Sequence, residues 1–323
     1  MSSIYFFFFA IVLLGGELLY FRIARSYKIL DHPNVRSLHE RPTIRGGGII
    51  FYLAAVLFYA ITLRPGLLFI VALTLVSVVG LIDDVRSLSS GTRFLAQSVA
   101  FAMILVELEL PEVGTLMIIV IFIVSVAAVN TFNFMDGING MTGGYGLVAL
   151  GSLLYINSYN IQFIENDFLL AVLAALLIFC YFNFRKKAVC FAGDVGSLSI
   201  GFIILYLVIK LVTTTGNYNF VVLLSVYGVD SVLTIIHRLI RREDIFKPHK
   251  LHLYQVLVSQ FKISHLRMSG MYVIIQLLIN VLVIACLRLS LGQQYLMSLG
   301  VLMVLALLYV YLKRRIFSGI QAG

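Results

Sequence analysis

Apolar and polar residues fall in long blocks along this chain. Runs of roughly 17 to 21 apolar residues recur from one end to the other, and a helix rising ~1.5 Å per residue needs about 20 to cross the hydrocarbon of a bilayer. Eleven such segments fit, near residues 3–22, 46–63, 66–82, 93–110, 114–131, 140–158, 167–184, 196–213, 217–236, 269–288 and 292–312. The second and third, separated only by LRPG, are the least clearly divided. The first, IYFFFFAIVLLGGELLYF, has no basic residue before it and no small-residue cleavage site after it, so it predicts a retained helix and not a removed signal. The pattern predicts an all-α, polytopic integral membrane protein. Residues 1–323 would form one multi-span domain with polar loops at 23–45, 83–93, 132–140, 184–196 and 237–268.

Composition agrees with that class. The chain is 61% hydrophobic and 12% charged, whereas a soluble domain is nearer half and a quarter. The charge distribution adds an orientation, because short loops rich in Lys and Arg stay in the cytoplasm. Of 24 basic residues, 21 lie in the loops at 22–45, 83–93, 184–196 and 237–269 and in the tail. Only Arg64 and Arg288 fall in the opposite loops, with Lys210 inside a span, while Glu107, Glu109, Glu112, Glu165 and Asp167 crowd those opposite loops. The N-terminus is therefore expected outside, in the periplasm, and the C-terminus in the cytoplasm. The net charge of +9 is then a topology signal and an attraction for anionic lipid or substrate, and nucleic acid is not an expected partner. Three cysteines without metal-ligand spacing predict no disulfide framework.

The polar motifs share one face. Asp83 and Asp84 in GLIDDVRSLSSGTRFLAQ end the third span; they read as a solvated helix end beside Arg86 and Arg93, or as a paired site for Mg²⁺ or proton transfer. Asp194 in AGDVGSLSIG opens the eighth span, where Asp and Ser can cap the helix and small residues let phosphate approach its N-terminus. Asn133 and Asp136 sit in NFMDGINGMTGG, and Asn183 ends the seventh span. His249 and His252 in FKPHKLHLYQ, spaced i, i+3, would share one face of a helix; with Lys247, Lys250 and Arg242 near, phosphate suits them better than zinc. The first loop mixes Arg36, His39, Arg41 and Arg45 with three glycines, read either as positive-inside charge with close helix packing or as an Arg-rich diphosphate site. Asp230 within the ninth span needs a buried partner: Arg238, Arg241 or a metal. Glu17 in the first span suggests a structural or lipid-interface role. Carboxylates, Gly-rich backbone and Arg, Lys and His on one membrane face together point to phosphoryl chemistry on a lipid.

These motifs, in order from PTIRGGGI through PHKLHLYQ, resemble the polyprenyl-phosphate N-acetylhexosamine-1-phosphate transferases of the MraY/WecA type, most closely the WecA/WbpL branch. The resemblance implies a bacterial inner-membrane enzyme with a cytoplasmic site dependent on Mg²⁺, or Mn²⁺ in its place. It would move a sugar 1-phosphate from a UDP-N-acetylhexosamine to undecaprenyl phosphate and release UMP, starting O-antigen or another surface polysaccharide. It further implies catalytic roles for Asp83, Asp84, His249 and His252, a metal ligand in Asp194, and substrate contacts from Asn133, Asp136, Asn183, Arg45 and Lys250. A homodimer is a family-level expectation. Two departures stand out: Asn139 replaces an Asp common in the family, and Ser87 leaves the DDxxD pattern incomplete. A phospho-MurNAc-pentapeptide transferase is the alternative within the family, although its histidine motif is richer than PHKLHLYQ. An intramembrane aspartyl protease would want GxGD, and the chain has FAGD. A transporter or flippase would want helix breaks at the bilayer midplane.

Overall fold

The computed structural model describes residues 3–33, 41–64, 66–110, 114–244 and 249–321. Arg36, His39, Glu112 and Lys247, all named above, lie outside the described residues. The helices are α1 Ser3–Ser26, α2 Ile49–Thr62, α3 Leu67–Val85, α4 Ser90–Glu107, α5 Thr115–Met135, α6 Met141–Tyr159, α7 Asn166–Asn183, α8 Gly193–Thr215, α9 Ser225–Ile240, α10 Leu253–Phe261, α11 His265–Ala285 and α12 Leu291–Gln321. A helix occupies each expected segment, so the protein is an all-α polytopic membrane protein. Among the described residues, eight helical stretches are long and apolar enough to cross a bilayer by themselves. The 46–63 segment is the main difference: glycines 46–48 stay outside the helix, and α2 has only 14 residues, about 21 Å at 1.5 Å per residue.

Burial ranks the helices. The apolar stretch of α8 is 94% buried, against 22% for α5 and 11% for α12. Thus α8 is the central post, while α1, α5 and α12 turn residues such as Phe7, Phe8, Ile123, Leu296 and Val304 outward, the surface expected against lipid. Small residues let neighbours close on α8, as helix packing in lipid requires. A Cβ on Gly80 of α3 would stand 2.9 Å from the Asp194 carbonyl, and the Ser77 and Ser199 hydroxyls meet at 2.7 Å across the same seam.

At the far end from the motifs, Arg64 pairs with Glu165, and Glu107 accepts from the Leu68 backbone N–H. The acids of the opposite loops are therefore partly matched to that end's single described arginine before α3.

Candidate active site

The floor of the site is stitched from two segments far apart in sequence. Strands β1 Leu30–Asp31 and β2 Thr43–Ile44 pair antiparallel, and the segment after β2 runs beside residues 190–192. Phe191 N–H donates to the Ile44 carbonyl (2.8 Å), Gly47 N–H to the Phe191 carbonyl (2.8 Å) and Gly48 N–H to the Ala192 carbonyl (3.0 Å). A Cβ at Gly48 would collide with the Gly196 Cα. Gly193 has φ +70° and backs onto Gly46, so only glycine fits where the chain turns into α8. The three glycines thus serve close packing, and that packing delivers Arg45 to the start of α8.

Asp83 and Asp84 diverge. Asp84, buried at the end of α3, accepts from the N–H groups of Asp194 (2.8 Å) and Val195 (3.0 Å), and its Oδ1 lies 2.6 Å from Arg45 Nε. It caps α8 from a neighbouring helix, a job that the sequence had suggested for Asp194 itself. Asp83 takes the other direction: its Oδ2 pairs with Arg93 at 3.0 Å, and the Leu88 N–H donates to its Oδ1. Its carboxyl also comes within hydrogen-bonding reach of Asp194.

Asp194 is the meeting point. Asn133 Nδ2 donates to its Oδ1 at 2.7 Å and to Ser197 Oγ at 3.1 Å, and Arg45 approaches its Oδ2 at 3.4 Å. Burial works against the charge on Arg45, but Asp84, Asp194 and Asp31 outweigh it, so the guanidinium is held more firmly protonated than usual.

Asp136, the C-cap of α5, faces the same cluster. Burial pushes its carboxyl up to about 8; the Thr142 hydroxyl at 2.5 Å opposes this, and the charges of Asp194 and Asp84 add to it. Asn183 is buried with both amide ends engaged, accepting from Gly140 N–H (2.7 Å) and donating to the Cys190 carbonyl (2.9 Å). Asn139 likewise donates to the Arg185 carbonyl at 2.8 Å. These two asparagines tie the 136–140 turn to the 184–192 segment. A carboxylate at 139 would be an acceptor facing another acceptor, which gives the Asp-to-Asn departure a physical reason.

The histidines arrive on a separate arm. They precede α10 instead of riding on a helix, with His252 as its N-cap, and their rings lie 5.1 Å apart. Both face Phe134, at 6.3 Å for His249 and 6.1 Å for His252. Burial, then His252, Arg238 and Lys313, push His249 down to about 4. Lys250 is half-buried between the histidines. Tyr254, which the sequence did not single out, anchors the arm by donating to the Phe134 carbonyl at 2.8 Å. Its partner is 120 residues away, so no local signal marks it.

One expectation is corrected here, and one of two alternatives is excluded. The partner of Asp230 is neither Arg238, which pairs with Glu243 (3.3 Å), nor Arg241; it is His252, at 3.2 Å. Glu17 is fully buried, with Cys190 Sγ 4.0 Å away, and does not lie at a lipid interface.

Among the described residues no three His, Cys, Asp or Glu side chains form a ready metal cage. Mg²⁺ does not require one, since it is commonly held by one or two carboxylates with water and substrate phosphates. Asp83 and Asp194 repel unless a proton or cation lies between them, and with Asn133 they offer the hard oxygen donors that Mg²⁺ prefers. These residues fit such an ion.

Comparison with known proteins bears on this cluster. The family described as "Glycosyl transferase family 4" matches residues 66–212, a region that holds Asp83, Asp84, Asn133, Asp136, Asn183 and Asp194. Over that region the chain is similar to glycosyl transferase family 4. Relatives extend the match beyond that region. A probable undecaprenyl-phosphate N-acetylglucosaminyl 1-phosphate transferase of Bacillus subtilis (strain 168) is 26% identical over 271 residues, covering 77% of this chain and 74% of its own. A decaprenyl-phosphate N-acetylglucosaminephosphotransferase of Mycobacterium leprae (strain TN) is 26% identical over 297 residues, covering 76% and 73%. The undecaprenyl-phosphate alpha-N-acetylglucosaminyl 1-phosphate transferase of Escherichia coli (strain K12) is 24% identical over 263 residues, covering 73% and 71%. Within the matched region the polar residues stand on the ends of α3, α5, α7 and α8, where the fold gathers them.

Proposed function

We propose that this protein transfers N-acetylglucosamine 1-phosphate, or a close N-acetylhexosamine relative, from its UDP derivative to undecaprenyl phosphate. The products are UMP and the undecaprenyl-diphosphate sugar, the first lipid-linked intermediate of a surface polysaccharide. The convergence of Asp83, Asn133, Arg45 and Asp194 at the N-terminus of α8 carries this reading. The names of the relatives favour N-acetylglucosamine as the sugar. The reading places the site on the cytoplasmic side of the bacterial inner membrane.

The chemistry needs no external energy. A lipid phosphate oxygen attacks the sugar-bearing phosphorus, the bond from that phosphorus to the bridging oxygen breaks, and UMP leaves with the electron pair. A phosphate monoester has a second pKa of about 6 and is mostly dianionic at pH 7. The obstacle is therefore repulsion between anions more than proton removal. Mg²⁺ bound at Asp194 and Asp83 would neutralise phosphate charge. Arg45 supplies a fixed positive charge beside it, and Lys250 a second on the histidine arm. Asp83, which comes within reach of Asp194 and is not tied to the α8 backbone as Asp84 is, is the better placed of the pair to accept a proton from, or orient, the lipid phosphate. Asn133 holds Asp194 in position, Asp136 borders the nucleotide side, and Asn183 shapes the turn between them. The bond to the anomeric carbon is untouched, so the sugar keeps its configuration.

The test is UMP release by purified protein given undecaprenyl phosphate, Mg²⁺ and a panel of UDP-N-acetyl sugars that includes UDP-MurNAc-pentapeptide. UMP is expected with UDP-GlcNAc or a near relative; release from the pentapeptide donor alone would move the protein to the peptidoglycan branch, and no release from any donor would overturn the reading. Asp194→Asn should lower turnover at least a hundredfold, about 2.7 kcal/mol of lost transition-state stabilisation, while the variant still inserts and melts like the parent.

A further inference from the structure

The transfer chemistry leaves Asp230 without a task, yet it is the most heavily hydrogen-bonded acid in the protein's described residues outside the α8 cluster. It is 3% exposed in the middle of α9. Its Oδ2 accepts from the Tyr272 hydroxyl at 2.6 Å. Its Oδ1 accepts from the Leu253 N–H at 3.1 Å and the Thr234 hydroxyl at 3.2 Å, and lies 3.2 Å from His252 Nδ1. Lys313 Nζ reaches Thr234 Oγ1 at 3.5 Å and also donates to the Tyr309 hydroxyl. An ammonium can only donate, so Thr234 accepts from Lys313 and has its own hydrogen free for Asp230. A carboxyl that receives a backbone N–H and two hydroxyls is an ionised acceptor, and the imidazole nitrogen facing it must carry a hydrogen.

That direction of hydrogen bonding decides the other edge of the ring. His252 Nε2 is buried and has no hydrogen-bond partner. An unpaired polar atom at such depth is costly unless a ligand completes it. The ring borders Phe134 at 6.1 Å, and the next residue back, Asn133, holds Asp194.

We propose that Asp230 is a positioning residue for His252: it grips Nδ1–H and turns Nε2 toward a phosphate oxygen bound beside residues 133–136, to which Nε2 donates once it takes up a proton as the phosphate arrives. Lys313, through Thr234, balances the buried carboxylate, and Tyr272 fixes its rotamer from α11. The identity of the ligand as a phosphate rests on the transferase reading above; the Asp230–His252 pair does not.

The experiment is nitrogen-15 solid-state NMR of histidine-labelled protein in lipid nanodiscs, with His252 assigned by the signals lost in His252→Gln. In the ligand-free parent, Nδ1 should be protonated and Nε2 bare. In Asp230→Asn that hold on Nδ1 is weakened and the commoner Nε2–H tautomer should appear. UDP-GlcNAc and undecaprenyl phosphate are added separately, and the one whose phosphate meets His252 shifts the Nε2 signal. Kinetically, Asp230→Asn should lower kcat about tenfold, one hydrogen bond's worth, with KM for both substrates within about twofold, and Asp230→Glu should recover part of the loss. A bare Nδ1 in the parent overturns the proposal, as does an Nε2 signal that neither substrate moves. So does an Asp230→Asn variant that keeps full kcat while His252→Gln loses it. If Asp230→Asn fails to fold, the tautomer of the parent decides. If no donor yields UMP, the transferase reading fails while the ligand-free tautomer still tests the pair.

Discussion

Asp84 is committed to capping α8 and pairing with Arg45, whereas Asp83, held by Arg93 and the Leu88 N–H, also comes within reach of Asp194. The two should separate on mutation. Asp84→Ala removes a buried cap and strands a cation, so it should destabilise the protein by about 1 to 3 kcal/mol. That would be read as a lower melting temperature in detergent. Asp83→Asn should melt within a degree or two of the parent yet lose nearly all UMP release. Asp136 sets a second expectation. Its folded pKa of about 8 lies above the unfolded value of 3.8, so the folded state binds more protons in between, and stability falls as pH rises through that window. His249, held down at about 4, slopes the other way below pH 6.5. Between pH 6.5 and 8 the His249 slope is gone, and Asp194, which burial raises to about 7, adds to the Asp136 slope at the lower end of the window. The melting temperature should therefore fall over that range without nucleotide or metal, and Asp136→Asn should make the fall shallower, most of all above pH 7.

At the scale of elements, α8 is positioned by contacts too close for any side chain. Gly48 against Gly196 joins α2 to α8, and Gly80 rests on the Asp194 backbone from α3. Gly48→Ala should push α2 off α8, costing about 1 to 3 kcal/mol and carrying Arg45 out of place. Thermal melting and UMP release should both fall. Gly151→Ala is the control: nothing lies within 4 Å of a Cβ there, and in a helix interior Ala should be neutral or slightly stabilising. The triple glycine was readable as a motif from sequence. Its partner segment, 190–196, was not, because backbone pairing between residues 44–48 and 190–192 leaves no mark on side-chain type.

At the scale of the molecule, the chemistry gathers at one end of the helices, and the other end carries Arg64 with Glu165 and the Glu107 carboxylate. The charge bias predicts that the first end faces the cytoplasm. In a cysteine-free background, Ser87→Cys should react with a membrane-impermeant maleimide only after cells are opened, while Ser290→Cys should react in intact cells. The reverse pattern would invert the topology and with it the compartment of the reaction. Both serines are exposed, so access to solvent does not confound the comparison.

The sequence by itself determined the membrane class, the position of every long helix and the motif residues, since block length and residue identity are local properties. Even the short α2 was flagged by its ill-divided LRPG junction. Only the tertiary structure decided what each acid does. Asp84 became a cap, Asp194 a hub, and Asp230 the holder of a histidine, through partners 110, 61 and 22 residues away. Such assignments depend on which helix ends meet, and the close glycine contacts around α8 settle that meeting in three dimensions.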